Sequence, residues 1–274
     1  TIRRVSGGTN IVVPIIYGTN STAGSYAGTD TIDITAQTGI SAAEYDWKQY
    51  AATVTISGIE EAKNNGEAAI IDLLEGKIFQ TQETVIENMN TMFWADGTGN
   101  SSKDWNGLAN IVGGTGVTLG GIDPLGAGNS WWASTEVNQG GAITVASMAT
   151  IYNTISVGND QPTIIITTQT LYEKYESLLE GQIRYTDTDV ADGGFQNLLF
   201  KGAPVTFDGA CSTGQMLFLN TKYLQLVAHS DVWFKPTPFV RPTNQDAVFS
   251  QLLVYGNLTC SNRARQGYLF GATA

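Results

Sequence analysis

The sequence predicts an α+β fold, and three features carry the prediction. One stretch, Gly66–Trp94, holds a long helical period; β-branched and aromatic runs flank it towards both ends of the chain; and helix, strand and helix alternate between residues 142 and 179. Within the long stretch, Ile71, Ile78, Val85 and Met92 recur every seventh residue. Ile70, Leu74, Met89 and Phe93 widen the same apolar face, and Glu67, Asp72, Glu75, Glu83 and Glu87 take the other side. Asn64 and Asn65 offer an N-cap, Glu67 suits the positive end of the helix dipole, and Asp96-Gly97 provides the stop. Roughly 28 residues at ~1.5 Å each make a rod of about 42 Å, long for a globular helix. Gly76 inside it costs ~1 kcal/mol relative to alanine and marks a bend or a close contact.

The segments before the rod read as follows. Ile11–Tyr17 (IVVPIIY) is a β run whose Pro14 assigns it to an edge or a bulge. Gly18–Glu44 is small, polar and turn-rich, with no helical period. Tyr45–Ile56 reads as a single strand. Two strands around a long connection with little to bury make a projecting hairpin. An isolated hairpin is marginal in water, so the expected support lies outside its own domain, on a neighbouring subunit. Ser57–Asn65 is a short helical lead-in to the rod.

After the rod, Val112–Gly141 is glycine-rich and carries Trp131-Trp132. Ala142–Val157 has helical spacing, Thr163–Thr168 is a buried-type strand, and Thr170–Leu179 is a second amphipathic helix. Leu198–Phe207, Gln215–Leu219, Tyr223–Ala228 and Val232–Phe234 read as β runs. Pro236, Pro238 and Pro242 form a rigid crossing segment. Ala247–Cys260 and the run from Gly267 are strands around the basic turn Asn262–Arg265.

Composition narrows the function. The chain has 274 residues and a net charge of -11, which argues against tight binding to a phosphate backbone. No Lys or Arg lies between Arg4 and Lys48 or between Lys103 and Lys174, so the surface there is neutral and polar. No run of 18 or more apolar residues exists to span a membrane. Cys211 and Cys260 are far apart and read as buried free thiols.

No stretch assembles a convincing active site, cofactor site or metal site. His229 is the only histidine and lacks the partners that hydrolase triads and zinc sites need. Asp187-Thr188-Asp189 with Asp192-Gly193 hints at a calcium loop, but Leu198 stands where the closing glutamate belongs. Asp96–Asp104 lacks the GxxxxGK[ST] pattern of a phosphate loop. Asn20, Asn100 and Asn257 open N-x-[ST] triplets that mean little without secretion. Trp131 and Trp132 read either as an exposed interface anchor or as core. A secreted or surface carbohydrate-binding module is the alternative that the paired tryptophans and low lysine content suggest, and a hydrolase ranks behind it.

The order of these strings, VTISGIEEAKNNG, the long helix, WADGTGN…GL, IIITTQTLYEKYESLL, FQNLLFKGAPVTFD, MLFLNTKYLQLVAHS, RPTNQDA and YGNLTCSNRARQG, resembles the major capsid proteins of tailed double-stranded DNA bacteriophages over nearly the whole chain. The resemblance implies a structural subunit, not an enzyme, that builds pentamers and hexamers of an icosahedral shell around DNA. It divides the chain into an N-terminal arm and extended loop (1–56), a peripheral domain with the spine helix (57–106), an axial domain (107–231) and a return to the peripheral domain (232–274), with Ala247–Leu269 as that domain's long strands. It implies a virion location after assembly in the host cytoplasm. The implied partners are further copies of the chain, a scaffolding segment or protein, a portal, decoration proteins and packaged DNA held without tight specific binding. No cofactor and no membrane enter. Thr1 in place of methionine agrees with removal of an N-terminal scaffolding segment, or with truncation.

The subunit-interface candidates that follow are Tyr26, Asp30 and Ile32 on the loop, Arg3 and Arg4 on the arm, Glu83 and Glu87 on the spine helix, and Trp131 and Trp132. Arg3 or Arg4 facing Glu83 or Glu87 across subunits would add only ~0–1 kcal/mol as an exposed pair. Some relatives weld the shell by an isopeptide bond from a loop lysine to a neighbouring asparagine. Here no lysine lies between Gly18 and Glu44, and Lys48 is the nearest. Asn257 and Asn262 are the positional acceptors, without a donor to reach them. The expectation is a non-covalent shell.

Overall fold

A computed structural model describes residues 2–63, 73–180 and 198–274. The expected N-cap at Asn64 and Asn65, the first turn with Glu67, Ile70, Ile71 and Asp72, and the acidic loop at residues 187–193 lie outside the described residues.

Among the described residues, three sheets organise the chain. In the first, β1 (Ile2–Val5) pairs in parallel with β10 (Leu224–His229), which pairs antiparallel with β12 (Ala247–Cys260). β12 also carries the two-residue β11 (Lys235–Pro236) and, over ten residues, β4 (Lys48–Ser57). Helix α1 (Gly58–Lys63) follows β4, and α2 (Leu73–Trp94) packs across it. The expected helical face is buried over most of its length: Val85, Met89 and Met92 pack with Trp105, Leu252 and Val254, and Ile78 is half-buried, but Leu74 at the helix start is exposed. The helix ends at Trp94, and Gly97 follows at φ +76°. Lys77 ties α2 back to the lead-in helix through a 2.8 Å ion pair with Glu60.

The second sheet has six strands in the order β5-β13-β9-β6-β8-β7. They are β5 (Thr135–Ala142), β6 (Ile164–Thr167), β7 (Leu199–Phe200), β8 (Ala203–Phe207), β9 (Met216–Leu219) and β13 (Gly267–Thr273). The segment between Trp94 and β5 holds helix α3 (Leu108–Val112). Helices α4 (Val145–Ile155) and α5 (Gln169–Glu180) share one core with the six-stranded sheet, built from Met148, Ile151, Ile155, Leu171, Tyr175, Val205 and Phe218. Thr144 and Ser147 form a reciprocal cap at the start of α4. The third sheet is the hairpin of β2 (Asn10–Ile16) and β3 (Ile40–Asp46).

Four expectations need correction. Tyr45–Ile56 is not one strand: the chain leaves the hairpin at Asp46 and enters the larger sheet at Lys48, with Trp47 at the corner donating to the Gly8 carbonyl. Ile40–Glu44 belongs to β3 and not to the loop. Leu198–Phe207 folds back on itself at Lys201-Gly202, both at positive φ. Val232–Phe234 is not a strand; the short β11 starts one residue later. The last strand, β13, pairs with β5 and β9 in the six-stranded sheet, away from β12.

Candidate assembly surfaces

The hairpin is the least self-sufficient element and divides into a root and a tip. On the root, Ile11, Val13, Ile15, Ala43 and Tyr45 are buried against the body, in the core that holds Ile111, Leu119, Trp132 and Cys260. The opposite face is apolar yet open: Val12 is 51% exposed, Ile16 79% and Ile40 76%. The hairpin strands therefore rest one face on the body of the same chain, which sequence reading did not anticipate, and hold the other outward.

Buried polar groups clamp the root. The Tyr45 hydroxyl donates to the Cys260 carbonyl at 2.8 Å and accepts from the Cys260 amide at 3.2 Å. Burial pushes the Tyr45 phenol's pKa well up, so this group stays neutral. Asn257, fully buried, donates its Nδ2 to the Asp46 carbonyl at 2.8 Å, and its Oδ1 accepts from the amides of Asn106 and Leu258. The Glu44 amide donates to the Gly120 carbonyl. Gly120 sits at φ +60°, and a Cβ there would lie 2.6 Å from the Ala43 methyl, so glycine alone permits this approach. Beneath the clamp, the buried Arg263 donates to three backbone carbonyls, those of Ile111, Val117 and Asn110. Cys211 and Cys260 are buried thiols whose pKa burial pushes up to about 12, as expected of inert structural cysteines.

Backbone parity shows which hairpin edge is open. The Tyr17 amide donates to the Gly39 carbonyl, so Ile15, Val13 and Ile11 hydrogen-bond across the pair. Val12, Pro14 and Ile16 then turn their backbone outward, and Pro14 offers no N–H there. On β3 the outward Glu44 amide is already bonded to Gly120. Ile40 and Ala42 thus carry the outward groups without such a block.

The tip, residues 18–39, is held differently. Asn20 and Asp33 make local turns with Thr22 and Thr35, Asp30 accepts from the Ala27 amide, and Ser21 reaches Gln37 across the loop. Thr35 holds the Asp33 carboxyl below the usual range through its hydroxyl and amide. Tyr26 is 68% exposed and Ile32 58%, with Asp30 exposed between them. None of these residues touches the core clusters.

The other interface candidates scatter. Arg3 and Arg4 are exposed on β1, at the edge of the first sheet. Glu83 and Glu87 are exposed on α2. The tryptophan pair splits: Trp132 is core and donates to the Leu119 carbonyl, while Trp131 is half-buried and stacks on Tyr17 at 4.3 Å between ring centroids. Lys48 is spent on the Ser102 carbonyl, and Asn257 is no acceptor for a weld because burial and three hydrogen bonds hold it. His229 packs edge-on against Trp47, and no cluster of three potential metal ligands occurs among the described residues. The Asp96–Asp104 loop contains a left-handed turn at Asn100–Ser102, not a phosphate cradle.

No protein-family model and no curated protein matches the sequence. Solved structures do match in fold, from end to end. The fold is that of phage capsid subunits. Over 99% of this chain and 91% of the other, the chain is similar to a subunit of the cyanophage A-1(L) capsid, with a TM-score of 0.68 at 17% identity. The capsid of the native GTA particle gives 0.65 at 13% identity, over 100% and 88%. The holo-SrpI encapsulin complex of Synechococcus elongatus gives 0.64 at 11% identity, over 98% and 84%.

Proposed function

We propose that this chain is a structural shell subunit, the major capsid protein of a tailed bacteriophage, forming pentamers and hexamers of an icosahedral capsid around double-stranded DNA. The observation that carries the reading is the hairpin, within a fold matched from end to end by capsid subunits. Its outer face is apolar, one edge is open at Ile40–Ala42, and its tip has no core of its own. An element of this kind is stabilised by a neighbour's surface, and a closed shell repeats that contact at every subunit. Tyr26, Asp30 and Ile32 would contact the next subunit, with Val12, Ile16 and Ile40 adding apolar burial of about 25 cal/mol per Å².

The domain division proposed for the shell keeps the first sheet with α2 as the peripheral part and the six-stranded sheet with α4 and α5 as the axial part, which moves β10 out of the 107–231 segment and β13 out of the 232–274 segment read from the sequence. The net charge of -11 suits an inner wall that lets packaged DNA move without sticking. Scaffolding, portal and decoration proteins remain proposed partners, and among the described residues no helix is long and apolar enough to cross a membrane.

Electron microscopy of the purified protein, with and without a co-expressed scaffold, tests this. Shells, or rings of five and six, are the expected result, and compact monomers under every condition overturn it. Double-stranded DNA inside particles made during infection separates a phage head from an encapsulin-type compartment. Boiled in detergent with reductant, the particles should run as one band at monomer mass; a ladder would reveal a covalent weld.

A further inference from the structure

Helix α2 carries a second apolar strip that the fold covers at one end only, where Phe93 packs edge-on against Trp105, leaving Phe79 and Ile86 open. Phe79, Ile86 and Phe93 recur at intervals of seven, beside the buried face of Val85, Met89 and Met92. Phe79 is 63% exposed and Ile86 51%. The strip opens into a groove of about 580 Å³ whose walls include Ile86, Met89, Phe93 and Phe234, with Glu83 and Glu87 on the rim.

Spacing and charge together define what fits. A seven-residue repeat on a straight helix is the pattern that receives a second helix wound around it. From Phe79 to Phe93 the strip runs for about 21 Å at ~1.5 Å per residue, enough for four turns of a partner. The rim is acidic: the ion pairs found among the described residues leave out Glu83 and Glu87, and Lys77, the basic residue of α2, faces β4 and Glu60. A second copy of the chain brings a net charge of -11 to this rim, and its Arg3 and Arg4 sit on a four-residue strand already paired with β10. We propose that this strip docks an amphipathic helix of another protein, apolar along its seam and rich in lysine or arginine on its flanks.

Three labelled peptides test this by fluorescence anisotropy on the full-length unassembled chain. One is a three-heptad peptide with leucine at its seam positions and lysine on the flanks; its twin carries glutamate on the flanks; the third scrambles the lysine peptide. The lysine peptide should bind at least ~10-fold more tightly than either control, a difference of ~1.4 kcal/mol. Ile86→Lys, at an exposed position, should weaken it by a similar factor with an unchanged circular dichroism spectrum. Glu83→Lys with Glu87→Lys should reverse the preference towards the glutamate peptide. Equal binding of the scrambled peptide, indifference to Ile86→Lys, or no reversal on charge exchange overturns the proposal. So does sedimentation showing that the wild-type chain self-associates and that Ile86→Lys makes it monomeric, because the occupant is then a second copy.

Discussion

The root and the tip of the hairpin are neighbours in sequence but are stabilised by different means. The root buries Ile11, Val13, Ile15 and Tyr45, each contributing about 1.5–3 kcal/mol, and is clamped by Tyr45, Asn257 and Gly120. The tip has Asx turns and cross-loop hydrogen bonds from Ser21 to Gln37, all exposed to water, and such bonds contribute little net stability. Direction is therefore set by the subunit itself, and tip order is left to the neighbour. A subunit built this way aims its strap before meeting a partner, which lowers the ordering cost of assembly.

Substitutions separate the two parts. Arg263→Met should have the largest effect on folding, since it leaves one buried carbonyl (Ile111) and two partly buried ones (Asn110, Val117) under the root without donors. At ~1–3 kcal/mol for each, partly relieved by relaxation, about 3–6 kcal/mol should be lost in chemical denaturation. Tyr45→Phe keeps the ring and removes both bonds to Cys260; about 1–3 kcal/mol should go, with faster amide exchange in β3. Replacing residues 18–39 by a tight turn should change stability least, within ~0.5 kcal/mol, and yet stop shell formation. Normal shells from the shortened chain would mean that the tip is no inter-subunit strap.

Much of this was readable in the chain because local pattern decides it. The buried face of α2 follows from the period through Val85 and Met92, and the helices around residues 145–155 and 169–180 from theirs. What escaped is non-local. Nothing around Gly267 states that β13 joins β5 and β9, since those partners lie more than 40 residues away in sequence. Arg263 reads only as part of a basic turn and Asn257 as a positional acceptor, because burial of polar side chains depends on carbonyls supplied by distant loops. Trp47 reads as a strand residue, and only the packing of two sheets makes it a corner. The blocked β2 edge had one signal, Pro14, whose outward direction needs the register, and the open edge at Ile40–Ala42 had none.

Amide hydrogen exchange on residues 11–46, in the free subunit and in the assembled shell, tests the division most directly. The account predicts that the amides of Ile11, Val13, Ile15 and of Ala43, Glu44 and Tyr45 are protected in both states. It predicts that 18–39 exchange within the dead time in the free subunit and slow by at least ~10-fold in the shell, the mark of a local opening raised by ~1.4 kcal/mol or more. A tip already protected in the free subunit, or one still unprotected in the shell, contradicts it.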